Sequence, residues 1–180
     1  MRVEATPVVS SNRRILIFIA ALALACCAKT PPAVVWTQDY AAAVKQAKTE
    51  NKNLLLYYSG SDWCDSCLRL GDEVFSKPAF IDYANAHCVA VMLDFPRKKT
   101  LPESVRAQND ILHVKYAVQN EPTIVLATPD EKVLAWIEGY KGEGATGLID
   151  ELEHPKPVPA LVASQAATTP FPAPNPAPAK

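Results

Sequence analysis

The sequence predicts an α/β domain of three layers, with helices on both faces of a mixed central sheet. Three observations lead there. Between about residues 34 and 153, helix-like and strand-like stretches alternate, and such alternation puts helices on either side of a sheet. Asn53 to Tyr58 is a short, nearly continuous apolar run, which suits a strand buried on both faces. Thr123–Ala127 and Lys132–Ile137 are strand-like and joined by Thr128-Pro129-Asp130-Glu131, a hairpin signal that makes the sheet mixed rather than wholly parallel.

The remaining elements follow in order. Asp39 to Glu50 carries Tyr40, Ala43, Val44 and Ala47 at helical spacing, and Asn51 can end that helix. Ser59-Gly60-Ser61-Asp62 reads as a turn. A helix is expected from near Cys64 through Leu68, Leu70 and Val74. Ser76-Lys77-Pro78 breaks it, and Ser76 can cap a further helix from Pro78 to about Ala86. Cys88 to Asp94 is strand-like, Pro96 to Pro102 is a basic loop, and Ser104 to Tyr116 and Gly144 to Leu152 are helical. No internal repeat is visible.

The two ends read differently. Arg13 and Arg14 precede an uninterrupted apolar run from Ile15 to Ala25, too short for a bilayer span of about 20 residues and closed by Ala23-Leu24-Ala25. Residues 1–27 are therefore expected to be an export signal. Leu22-Ala23-Leu24-Ala25-Cys26 also resembles a bacterial lipoprotein signal, in which Cys26 would carry lipid; plain cleavage and lipidation both stay open. Residues 155–180 are rich in Pro, Ala and Thr and nearly uncharged. Each proline lacks an N–H and fixes φ, so an extended, disordered tail is expected.

Hydrophobic residues make up 49% of the 180, enough for a packed core. Eighteen basic residues against nineteen acidic ones give no basic stripe, so nucleic-acid binding is not expected. Five cysteines are too few and too unevenly spaced for a disulfide-stapled miniprotein.

Chemistry concentrates at Trp63-Cys64-Asp65-Ser66-Cys67. A Cys-x-x-Cys pair that follows a buried strand and opens a helix puts both sulfurs on one face of the first turn. The leading sulfur then meets unpaired N–H groups and the positive end of the helix dipole. Both favour the thiolate, which is the nucleophile. Cys64 is expected to attack a disulfide and Cys67 to resolve the mixed disulfide. Half a zinc site, a static disulfide and two core cysteines are the rival readings. A zinc site usually needs four ligands, and only Cys88, His87, His113 and His154 remain, at poor spacing.

These residues resemble thioredoxin. Trp63-Cys64-Asp65-Ser66-Cys67 and Pro122-Thr123, in this α/β order, carry the likeness. Tyr57-Tyr58-Ser59-Gly60-Ser61-Asp62-Trp63-Cys64, Glu73-Val74-Phe75-Ser76 and Asp94-Phe95-Pro96-Arg97 look like an exported bacterial branch of that family. The resemblance covers about residues 36–142. It implies a nucleophilic Cys64, a resolving Cys67, a cis Pro122 and a Trp63 flanking the site. The loop at Glu121-Pro122-Thr123 would offer its backbone to a substrate peptide as an added strand. Two departures stand out. The family's buried aspartate before the motif is replaced by Tyr57 or Tyr58. The usual Gly-Pro between the cysteines is Asp65-Ser66, and Asp62, Asp65 and Glu121 are then expected to lie near the Cys64 sulfur. Such charge would raise the thiolate's energy and favour a reductase or isomerase over a strong oxidant.

The expected protein is a thiol–disulfide oxidoreductase of the bacterial envelope, periplasmic or membrane-anchored through Cys26. It would need no bound cofactor and no metal, act on protein thiols and disulfides with an upstream redox partner, and be a monomer. The alternatives are a redox-inert peptide-binding or assembly module and a thiol-based metal or haem-maturation chaperone. Cys88 reads as a buried thiol rather than a third redox cysteine. His87 and His113 read as structural or surface residues, Trp36 and Trp136 as core or rim aromatics. Arg97, Lys98 and Lys99 read as a solvated loop, or one touching membrane headgroups.

Overall fold

A computed structural model describes residues 33–168 and residue 171. Five strands form one sheet in the order β1-β3-β2-β4-β5. They are β1 (Trp36–Thr37), β2 (Asn53–Ser59), β3 (Cys88–Asp94), β4 (Thr123–Ala127) and β5 (Val133–Glu138). β1 and β2 run parallel to β3, while β4 runs antiparallel to β2 and β5 antiparallel to β4. The mixed sheet is the one the closing hairpin predicts. At that hairpin, Glu131 adopts φ 67° and its N–H donates to Thr128 O at 2.8 Å.

The pleat divides β2 between two cores. Leu55 and Tyr57 face one side, with Cys64, Cys67, Leu70, Val74 and Phe80. Leu54, Leu56 and Tyr58 face the other, with Tyr40, Ala43, Leu112 and Tyr116. This is the period-2 geometry of a strand buried twice. The helices of the first face are α2 (Asp65–Leu70), α3 (Pro78–His87) and α5 (Gly144–Glu153). Those of the second are α1 (Tyr40–Glu50) and α4 (Glu103–Lys115). Asp39 caps α1 by accepting the Ala42 N–H, and Asn51 ends it in the left-handed conformation.

Several sequence expectations need correction. β1 is absent from the predicted order; two residues carry no readable period, and Trp36 is fixed instead by its pairing with Ala90 and by ring contacts to Tyr57 and Phe75. The helix from Cys64 does not run regularly to Val74. Gly71–Phe75 forms a π-helical turn, in which the Ser76 N–H reaches back to Gly71 O. Ser76 does not cap the next helix. Its hydroxyl donates to Asp72 O at 2.7 Å, and Lys77 is the N-cap, with Pro78 as the first residue of α3.

The tail is the largest correction. Ala160–Thr168 forms α6, with Val162 and Ala166 buried, the latter in the second core. Between Pro159 and Pro170 the chain has no proline, and Pro159 stands where its missing N–H costs nothing. Its carbonyl accepts the Ala163 N–H, and Phe171 packs edge-on against Tyr40 at 4.8 Å. The expected export signal and Cys26 lie outside the described residues. Among the described residues, no helix is long and apolar enough to cross a membrane.

Candidate active site

The end of β2 and the turn after it position the cysteines. Gly60 can hold no side chain there, because a Cβ would overlap the Trp63 indole. The Trp63 and Cys64 amides donate to Gly60 O, which closes the turn. Asp94 ties the same turn to β3: its carboxylate accepts the Ser61 N–H at 2.9 Å and the Ser61 hydroxyl at 2.6 Å. Asn109 from α4 in turn donates to Asp94 O.

Cys64 is the N-cap of α2, in extended conformation, and its sulfur accepts the Cys67 N–H at 3.2 Å. The two cysteines form a disulfide with their Cα atoms 5.2 Å apart. The Ser66 hydroxyl lies 3.5 Å from the Cys64 sulfur. Both cysteines are largely covered, with Cys64 5% and Cys67 3% exposed. The arrangement holds a sulfur at the start of a helix, where amide donors and the helix dipole favour negative charge.

Tyr57, not Tyr58, stands on the cysteine side of β2. Its hydroxyl donates to Cys67 O at 3.1 Å, while Tyr58 points into the opposite core and donates to Leu112 O. Burial pushes the Tyr57 phenol up to about 12, so it is a neutral donor behind Cys67.

The loop before β4 carries Glu121-Pro122, and that peptide bond is cis, as the family resemblance implies. Pro122 is buried and its carbonyl accepts the Gly139 N–H. Thr123 is fully buried, with its hydroxyl donating to Asn120 O at 2.7 Å. Its side chain therefore faces its own loop. Glu121 lies 3.5 Å from His113 Nε2, and His113 packs against the Phe95 ring at 5.0 Å.

Asp62 is engaged elsewhere than at the sulfur. Its carboxylate accepts the backbone N–H groups of Arg97, Lys98 and Lys99 at 2.9, 2.8 and 3.1 Å. Those bonds hold its pKa below the ordinary aspartate value. Asp65 is exposed at the first position of α2. Trp63 donates from Nε1 to Phe95 O at 2.8 Å, and the Arg97 guanidinium sits 3.7 Å above its ring. The sequence carries no sign of the His113–Glu121 and His113–Phe95 contacts or of the anchoring of Arg97–Lys99. Each forms through the fold, not through local spacing; only the cluster of cations was visible beforehand.

Cys88 is a free, buried thiol. Among the described residues, no group of three or more His, Cys, Asp or Glu is placed to hold a metal ion.

The family model for the thioredoxin-like domain matches residues 40–152. The chain belongs to the thioredoxin-like family. Among curated proteins, it is 33% identical over 108 residues to a disulfide bond reductase, DsbH, of Chlamydia pneumoniae, covering 60% of this chain and 65% of that one. It is 30% identical over 121 residues to the thioredoxin-related protein DsbJ of the same organism, covering 67% of this chain and 35% of that one. The chain thus spans less than two thirds of the length of either relative. A solved structure described as DsbH oxidoreductase superposes with a TM-score of 0.65 at 29% identity, covering 69% of this chain and 85% of that one.

Proposed function

We propose that this chain is a thiol–disulfide oxidoreductase working in the reducing direction on protein disulfides of the bacterial envelope. The observation that carries the reading is the Cys64–Cys67 disulfide built across a helix N-terminus beside a cis Pro122 loop. Kinship to a protein named as a disulfide bond reductase supports both the chemistry and its direction.

In the reduced chain the Cys64 thiolate attacks one sulfur of a substrate disulfide. A mixed disulfide forms and the first substrate sulfur leaves as a thiolate. Cys67, once deprotonated, attacks the Cys64 sulfur, closing the disulfide described above and releasing the second substrate sulfur. Two electrons pass to the substrate, and a partner dithiol must restore the pair. Glu121, Pro122 and Trp63 form the substrate-binding rim, with Thr123 contributing through strand position rather than through its buried side chain. Of the two carboxylates beside the motif, Asp65 opposes the thiolate more than Asp62, whose charge is met by three amides. The signal-like N-terminus supports an exported location, with Cys26 as the candidate lipid attachment.

Trapping tests the reading. A Cys67→Ser variant should accumulate mixed disulfides through Cys64, resolved by mass spectrometry after non-reducing separation, and Cys64→Ala should accumulate none. If Cys67→Ser captures no thiol partner and the reduced wild-type chain leaves model protein disulfides intact, the oxidoreductase reading is wrong.

A further inference from the structure

Three consecutive cations, Arg97, Lys98 and Lys99, would normally be a mobile, solvated run. Here their backbone is fixed to the redox motif. One carboxylate, that of Asp62, binds all three of their amides at 2.8–3.1 Å. The residue before them but one, Phe95, accepts the Trp63 indole N–H. Arg97 closes over the Trp63 ring at 3.7 Å, a cation–π contact. Asp94, at the root of the loop, holds the Ser61 end of the same turn through two hydrogen bonds. The loop and the two residues preceding Cys64 thus form one body.

Arg97, Lys98 and Lys99 are exposed, while Asp62 and Trp63 beneath them are half-buried. Among the described residues, none of the three cations makes an ion pair within 4 Å, whereas Arg69 and Arg106 each meet a carboxylate within four residues in sequence. Asp94, the nearest acid in sequence, is taken up by Ser61, and Asp62 accepts three backbone amides, with Lys99 contributing to its field. Glu121 across the site is turned to His113. Asp65 is the one exposed acid within the motif itself. The rim on the Trp63 side is therefore cationic on a fixed backbone, and of the acids named here only Asp65 is exposed.

We infer that the Arg97–Lys99 loop is a partner-selecting surface that favours disulfides flanked by acidic residues. The inference rests on the oxidoreductase reading and names the chemistry of its substrates. A chain approaching Cys64 alongside Trp63 meets three fixed cations. Oriented surface charge of this kind raises the encounter rate more than the final affinity. At physiological ionic strength the reach is about 8 Å, so the effect is confined to residues next to the disulfide and fades with salt.

The test uses the full chain, reduced, and three disulfide-linked peptide pairs of equal length, flanked by glutamates, by serines or by lysines. Each protein's rate constants are divided by its own rate on the serine-flanked pair. The wild-type chain should reduce the acidic pair about tenfold faster than the basic pair at low salt, shrinking to about twofold at 0.5 M. The double substitution Lys98→Glu with Lys99→Glu should invert that ratio, and Lys98→Gln with Lys99→Gln should bring it near one. A wild-type ratio near one, or a ratio that both double variants leave unchanged, overturns the inference while leaving the enzyme reading intact. Failure of the wild-type chain to reduce even the serine-flanked pair overturns both.

Discussion

Three cysteines of the described chain sit within one core, and their surroundings give them different chemistry. Cys64 stands at a helix start and accepts an amide N–H, which favours its thiolate. Cys88 begins β3 among apolar neighbours, and burial pushes its thiol up to about 12. At pH 8 it is almost wholly protonated and unreactive. After reduction, iodoacetamide should therefore modify Cys64 first and Cys88 at least ~100-fold more slowly. Cys88 should label at an ordinary rate only once the chain is unfolded. Peptide mapping by mass spectrometry reads each site separately; comparable labelling of Cys64 and Cys88 in the folded chain would contradict the difference in thiol acidity argued from their surroundings. Tyr57 makes a related point. The position of the family's buried acid is filled by a phenol that donates to Cys67 O, so proton exchange with Cys67 has no carboxylate at that position.

At the scale of elements, α6 shows how a tail that reads as disordered becomes part of the fold. Lys115, on α4, is fully buried; its ammonium donates to Glu131 Oε2 at 3.0 Å and to Ala166 O at 3.1 Å. Tyr40 donates to the other oxygen of Glu131 at 2.8 Å. The helix thus covers a buried polar network and supplies it with an acceptor. Val162 is 2% exposed and Leu161, its neighbour, 59%. Val162→Asp should cost roughly 2–4 kcal/mol by burying a charge or detaching the helix. Leu161→Asp should change stability by less than about 0.5 kcal/mol. Urea unfolding of both variants checks this; equal, negligible effects would mean that α6 does not dock. The legible elements were those with a period or a stop signal, such as α1 with Asp39 and Asn51, and β2 with its apolar run. The cysteine pair was legible because its spacing is local. What escaped depends on distant partners. Asp62 binds amides 35 to 37 positions onward, His113 meets Glu121 from another element, and α6 packs Ala166 into the second core. The expectation that Asp62 crowds the sulfur came from sequence adjacency, which says nothing about which way a carboxylate turns.

Across the whole molecule, both faces of the sheet bury groups that must stay protonated. Tyr57 and Cys88 lie in the core of the cysteines, and burial raises each to about 12. Tyr116 lies in the opposite core and is also raised to about 12, chiefly by burial. Tyr40 and Tyr58, beside it, are also raised well above the ordinary phenol value, chiefly by burial. In the unfolded chain these groups ionise near their ordinary values, about 9 for the thiol and 10 for the phenols. The sign follows directly. Below pH 9 both states hold their protons and the stabilising contribution is complete. As pH rises past 9 to 10, the unfolded chain releases protons that the fold retains, so stability falls, and it keeps falling until the folded groups ionise near 12 or above. Each group contributes a slope of up to about 1.4 kcal/mol per pH unit inside its window, and five act together. On the acid side, the carboxylates with lowered pKa, Asp62, Glu73 and Glu50, are held by exposed contacts, and their loss on protonation is weak. The stability profile should therefore be lopsided, shallow from pH 7 down to 5 and steep above 9.5. Urea midpoints of the oxidised chain at pH 5, 7, 9 and 10.5 measure it. A midpoint that holds level through pH 10.5 would mean that these phenols reach water, and with them the two cores that fix the cysteine pair in place.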